Sequence, residues 1–105
     1  MTLFVLVSRY LDREAAQANR DAHVAHVQEF HDRRWALASG PLVDGSGGVI
    51  VMRAPDREAL DAEFFARDPF ALSGAVEYKV SEFTPATLPR RSAELEQFLS
   101  TPLSG

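Results

Sequence analysis

His23, His26 and His31 lie close together in a stretch rich in Ala, Gln, Glu and Arg, and Asp68 stands before Pro69 in the run Arg67-Asp68-Pro69-Phe70. Imidazole titrates near neutrality, so a histidine held in place is a natural proton carrier. On a helical wheel centred on Val27, His23 falls between Val27 and Phe30, inside an apolar stripe. His31 falls toward the other edge of that stripe and His26 at its margin. A histidine on an apolar face needs a partner, because burying an unpaired polar group costs roughly 1–3 kcal/mol. His23 therefore reads either as a hydrogen-bonded structural histidine or as an acid–base group. His23 with His26 or His31 would supply two metal ligands, but the glutamate and third ligand of helical zinc motifs are missing, and no metal is expected.

Asp68 is the acid of most interest. The residue before a proline is pushed out of helical geometry, so its carboxylate is held rigidly. The plain reading is an Asp-Pro turn that ends a helix. Beside a histidine, the same carboxylate would orient the ring and stabilise the imidazolium, as the acid of a hydrolytic triad does. Sequence spacing alone does not bring the two together. Arg20, three residues before His23, suits an anionic group, since guanidinium pairs well with carboxylates. Phe30, Trp35, Phe64 and Phe70 are candidates for an apolar pocket wall, and each by itself also reads as ordinary core.

Several activities lack their motifs. There is no phosphate loop with its lysine, no dinucleotide-binding glycine pattern and no nucleophile elbow. Gly45-Ser46-Gly47-Gly48 lies between two strands and reads as a hairpin. The chain has 105 residues and no cysteine, so it has no disulfide, thiolate-zinc or thiol chemistry. A net charge of −4 with interspersed signs is poorly suited to nucleic acid. The basic pairs Arg33-Arg34 and Arg90-Arg91 read as solvated charges. The opening Met1-Thr-Leu-Phe-Val-Leu-Val lacks a basic leader and is followed at once by Ser8 and Arg9. It is too short for a signal core or a membrane span, so a strand in a cytoplasmic protein is expected.

The elements that would position these residues follow from periodicity. Leu3–Val7 reads as a central strand, and Ser8–Glu14 as a turn. Roughly Arg13 to Arg34 reads as an amphipathic helix, with Val24, Val27 and Phe30 facing the core. Trp35 to Gly40-Pro41 is a second strand, Asp44–Gly48 a hairpin turn and Val49–Arg53 a third strand. Asp56 caps a second helix whose apolar face is Leu60 and Phe64, with Ala59 and Phe65 beside them. That helix ends at Arg67-Asp68-Pro69-Phe70. Ala75–Phe83 alternates as a half-buried last strand. The order β-α-β-β-α-β predicts an α+β, ferredoxin-like domain, with two helices on one face of a four-stranded antiparallel sheet. Thr84–Gly105 is a tail with a short helix near Ser92–Leu99. Leu95, Phe98 and Leu99 either dock on a partner subunit or belong to a frayed end.

These pieces together resemble the YCII-related family. The matching residues are Leu3–Val7, Arg20-x-x-His23-Val24, Ala38-Ser39-Gly40-Pro41, Asp68-Pro69-Phe70 and the closing strand from Glu77 to Pro85. The resemblance covers roughly residues 2 to 85, so 1–85 is taken as the domain and 86–105 as a tail with a short helix, either dimer-stabilising or frayed. It implies pairing into a dimeric α+β barrel. It also implies a pocket between helices and sheet with a His-Asp pair, here His23 and Asp68, and with Arg20, Gly40, Pro41 and Phe70 in the same site. One member type is a dehydrochlorinase acting on chlorinated aromatics. Many relatives carry an acid just after the first strand, where this chain has Ser8 and Arg9. The hairpin between the middle strands is short, and the tail is longer than the family core.

The expected function is a small cofactor-independent enzyme that uses the His-Asp pair for proton transfer, by elimination or isomerisation, on a small cyclic or aromatic substrate. The alternative is a homodimer that binds a small molecule without turning it over. A third reading is a dimeric scaffold whose tail binds a partner.

Overall fold

The structure, a computed structural model, describes residues 2–89 and 92–103, so the Arg90-Arg91 pair lies outside the described residues. Strands β1 (Thr2–Tyr10), β2 (Ala36–Pro41), β3 (Gly47–Ala54) and β4 (Val76–Phe83) form one sheet in the order β2-β3-β1-β4. Every neighbouring pair is antiparallel. Helices α1 (Arg13–Asp32), α2 (Arg57–Glu63) and α3 (Pro69–Leu72) connect them, with a 3-10 turn at Phe65–Arg67, and α4 (Ala93–Ser100) follows the sheet. This is the ferredoxin-like α+β fold.

The core lies where the helices meet the sheet. Phe4 and Leu6 of β1 and Ile50 and Met52 of β3 point into it, against Val27 and Phe30 of α1, Leu60 of α2, Phe64 and Trp35. Phe30, Trp35 and Phe64 are fully buried there, so of the four aromatics considered for a pocket wall only Phe70 lines the cavity described below. Val24 departs from the expected core stripe: it is 56% exposed and stands at that cavity.

β3 starts at Gly47, two residues before the sequence reading placed it, and two further differences bear on the site. β1 continues through Ser8, Arg9 and Tyr10, because β4 offers them Tyr78, Glu77 and Val76 as partners. At this end β3 approaches closely: a Cβ at Gly47 would stand 1.7 Å from the Ser8 carbonyl oxygen, so the spacing needs glycine. The second helix stops at Glu63 and the chain restarts as α3, for which Asp68 is the N-cap and Pro69 the first residue. An aspartate cap with proline just inside is a start signal as much as a stop.

Caps fix the ends of α1. The Asp12 carboxylate accepts from the Ala15 N–H at 3.1 Å. At the other end the Trp35 and Arg34 N–H groups donate to the Phe30 and His31 carbonyls, a Schellman pattern. Arg34 there has a φ of 64°, where glycine is usual and a side chain costs roughly 1–2 kcal/mol. Arg34→Gly should therefore leave stability unchanged or raise it by up to about 1 kcal/mol, read as an upward shift in urea midpoint at constant slope. Arg33, expected to be solvated, lies over the Phe30 and Trp35 rings at 4.5 and 4.7 Å.

The tail helix α4 has a seat on its own chain. Arg53 is buried on β3. It donates to the carbonyls of Arg34 and Leu99 at 2.8 and 2.9 Å, and its guanidinium lies 4.9 Å from the Phe98 ring centre. Burial pushes its pKa below the ordinary arginine value.

Candidate active site

α1 carries His23 toward α3, and β4 carries Tyr78 toward the same point. Asp68 sits between them and is fully buried. Its Oδ1 lies 2.7 Å from His23 Nδ1 and also accepts the Phe70 N–H at 3.2 Å. Its Oδ2 accepts the Tyr78 hydroxyl at 2.5 Å. The carboxylate that caps α3 is therefore the one that holds the histidine.

The electrostatics follow from this packing. Burial pushes the Asp68 pKa up. The hydrogen bonds from His23 and Tyr78, the charge interaction with His23 and the Phe70 N–H outweigh it, leaving the group below the ordinary carboxylate value. Burial, followed by the charge and hydrogen bond of Asp68, pushes the Tyr78 phenol well above its ordinary value. Tyr78 therefore stays neutral and donates. An ionised carboxylate has only acceptors, so the His23 nitrogen facing it must carry a proton. The neutral ring then has its lone pair on Nε2, which has no partner among the described residues.

His23 is held in its plane from the other side as well. Its ring stacks on Phe70 with centres 3.7 Å apart and planes 3° from parallel. It borders a cavity of about 250 Å³ between α1 and the sheet. Arg20, Val24, Val27 and His31 continue the helix wall, Ser39, Gly40 and Pro41 of β2 face it, and Tyr78 and Phe70 close the end near Asp68. A Cβ at Gly40 would meet no atom within 4 Å, so glycine leaves space at this wall. Of the six residues expected at the site, five line one cavity, namely His23, Arg20, Gly40, Pro41 and Phe70, and the sixth, Asp68, is buried against His23.

The three histidines go to separate partners. His26 Nε2 lies 2.9 Å from the Phe64 carbonyl oxygen and its ring packs on Phe64, so it ties α1 to the end of α2. His31 Nε2 lies 2.8 Å from Ser39 Oγ. Among the described residues no three His, Cys, Asp or Glu side chains gather as a metal site would require, and no helix is long and apolar enough to cross a membrane.

The sequence reading missed Tyr78 as a member of the site. Alternation places it correctly on the inner face, but only the crossing of β4 beneath α3 shows that its hydroxyl reaches Asp68.

The YCII-related domain matches residues 2–84. The chain belongs to the YCII-related family. Three solved structures share the fold of this YCII-related domain. One is a 5-chloro-2-hydroxyhydroquinone dehydrochlorinase from Burkholderia phenoliruptrix AC1100, in complex with 2,5-dihydroxybenzoquinone. It has a TM-score of 0.66 and 19% identity, over 78% of this chain and 93% of that one. Another is an antibiotic biosynthesis monooxygenase, with a TM-score of 0.54 and 22% identity, over 83% and 99% of the two chains. The third is Rv0793 from Mycobacterium tuberculosis, with a TM-score of 0.52 and 19% identity, over 88% and 100%. A search of curated proteins finds no match.

Proposed function

We propose that this YCII-related chain is a small enzyme that moves a proton on a compact, oxygen-bearing ring, with His23 as the acid–base group and Asp68 as the residue that orients it. The observation that carries this reading is the 2.7 Å contact from His23 Nδ1 to a fully buried carboxylate, on a ring that borders a cavity. A buried acid spent on a histidine is costly unless fully paired, and here the pairing leaves the outer nitrogen as a base. In an elimination, Nε2 takes a proton from a substrate carbon or, in the keto tautomer of a chlorinated hydroquinone, from a ring hydroxyl. The electron pair of the broken C–H or O–H bond becomes the new double bond (C=O with a shift of the ring double bond in the second case), and the leaving group departs with its own bonding pair. In an isomerisation, the same nitrogen returns the proton at another carbon. Arg20 holds an anionic oxygen of the substrate, Phe70 backs the imidazole, and Gly40 and Pro41 form the opposite wall.

The dehydrochlorinase of like fold supplies the first substrate to try. Incubated anaerobically with 5-chloro-2-hydroxyhydroquinone, the protein should release chloride catalytically, measured by ion electrode. A non-catalytic ligand-binding protein is the second reading. It is favoured by the His23–Phe70 stack, which gives His23 a packing role of its own. Saturable binding of 2,5-dihydroxybenzoquinone with no proton exchange into it from deuterated solvent and no chloride release would replace the enzyme reading by this one.

We also propose that the working form is a homodimer. Strand alternation turns Val5, Val7, Val49 and Val51 to the face away from the helices. They pair Val5 with Val51 and Val7 with Val49 across β1 and β3, and Phe83 on β4 is 45% exposed. A second copy laid on this face covers that apolar surface. Size-exclusion chromatography with light scattering should give twice the chain mass, and Val51→Lys should shift it to the monomer. A monomeric wild type at micromolar concentration contradicts the proposal.

A further inference from the structure

On the helix wall of the cavity Arg20 and His23 stand at one end, His31 with Gln28 a turn before it at the other, and the apolar Val24 and Val27 lie between the two histidines. Arg20, His23, Val27 and His31 follow at intervals of three and four residues, so they share one face of α1. His31 is met by Ser39 of β2 at 2.8 Å, and both side chains border the cavity. Eight residues separate the two histidines, so their backbones stand about 12 Å apart along the axis. Helical side chains lean toward the N-terminus alike, so the rings keep a separation of that order. Two hydrogen bonds of about 2.8 Å with a six-membered ring between them fill such a span.

Charge narrows the ligand further. The lining contains no carboxylate, while Arg20, His23 and His31 all belong to it. The site therefore favours oxygens that are acidic or accept hydrogen bonds over a cationic group. The His31–Ser39 pair can serve such an oxygen in either tautomer. When His31 donates to Ser39, the hydroxyl hydrogen is left for a ligand carbonyl or oxyanion. When Ser39 donates to His31, its oxygen still accepts from a ligand hydroxyl.

We infer that His31 and Ser39 form a second polar anchor of this cavity, selecting flat six-membered rings that carry oxygens at opposite ends, one at His23 and the other at the His31–Ser39 pair. The inference rests on the reading of the cavity as a small-ligand site. His31 and Ser39 are specificity residues in it, and the proton transfer stays with His23.

The test compares hydroquinone with phenol, which differ by the far oxygen alone, in NMR titrations of the full chain that follow the His23 and Val27 signals. Wild type should bind hydroquinone about fivefold or more tightly than phenol, the worth of one neutral hydrogen bond. Ser39→Ala should erase that preference by weakening hydroquinone about fivefold while phenol changes less than twofold. His31→Gln should do the same. Ser39 is exposed, so Ser39→Ala carries the test even where His31→Gln folds poorly. Equal affinity of wild type for the two rings overturns the second anchor and leaves the cavity reading intact. So does an equal loss for both rings in Ser39→Ala. Absence of saturable shifts at His23 and Val27 with either ring overturns both.

Discussion

Replacing Asp68 by alanine should cost about 3–5 kcal/mol of folding free energy. The loss combines an orphaned imidazole, an orphaned phenol and an uncapped turn. Asp68 Oδ1 accepts from His23 and the Phe70 N–H, and Oδ2 from Tyr78. Without it three donors around a fully buried position lose their acceptor, and each such donor costs on the order of 1–3 kcal/mol when water cannot replace the bond. A domain of this size has about 5–15 kcal/mol to lose, so the variant should unfold at far lower urea concentration and approach the edge of stability. The pH dependence carries a sign. The Asp68 pKa is lowered on folding, so its contribution is complete above the ordinary carboxylate range near pH 4. It is lost as pH falls through the lower folded value. Wild type and Asp68→Ala should therefore converge in stability below about pH 4. Urea titrations at neutral and acid pH check both statements, and a gap that stays constant across that range contradicts them.

His23→Gln should separate chemistry from folding. The glutamine amide offers Asp68 a donor in place of Nδ1–H but has no group able to take a proton near neutrality. Turnover should fall by roughly 10²–10⁴-fold, the usual worth of a general acid–base group. Binding of 2,5-dihydroxybenzoquinone should change only a few-fold, and the urea midpoint should move far less than in Asp68→Ala. If turnover survives His23→Gln, the base lies elsewhere in the cavity. If the protein unfolds while Asp68→Ala does not, the histidine serves packing against Phe70.

Much of the fold was legible because periodicity answers to burial. The stripe around Val27 and Phe30, the alternation of Val76, Tyr78 and Val80, and the glycine hairpin each report which face meets the core. The cap at Asp56 was equally plain, and its carboxylate accepts from Ala59 at 2.7 Å. The errors arise where a distant strand or turn outweighs the local signal. Ser8, Arg9 and Tyr10 read as a turn by composition, yet β4 pairs with them and Arg9 reaches Glu77 at 3.2 Å. Val24 fits the apolar period but meets a cavity rather than the core. Asp68-Pro69 marked a break in the helix, and the sequence could not tell that the same cap would start α3 and aim a carboxylate at α1.

The site was legible in its residue types and not in its contacts. His23 stood out as an imidazole on an apolar face, and its tie to Asp68 came from the family resemblance. Forty-five residues of chain separate the two, and only the packing of α1 on α3 closes that distance. Tyr78 carried no signal beyond its inward register, because a tyrosine there serves equally as core.

The most direct test of this account is the tautomer of neutral His23, read by long-range ¹H–¹⁵N correlation in histidine-labelled protein. Wild type should carry the proton on Nδ1 and a free lone pair on Nε2. In Asp68→Asn the proton should stay on Nδ1, since the oxygen facing the ring must still accept the Phe70 N–H, while the amide NH2 can face Tyr78, whose hydroxyl then accepts. A wild-type ring protonated on Nε2 in its neutral form would contradict the account, because the nitrogen assigned as the base would then hold no lone pair for a substrate proton.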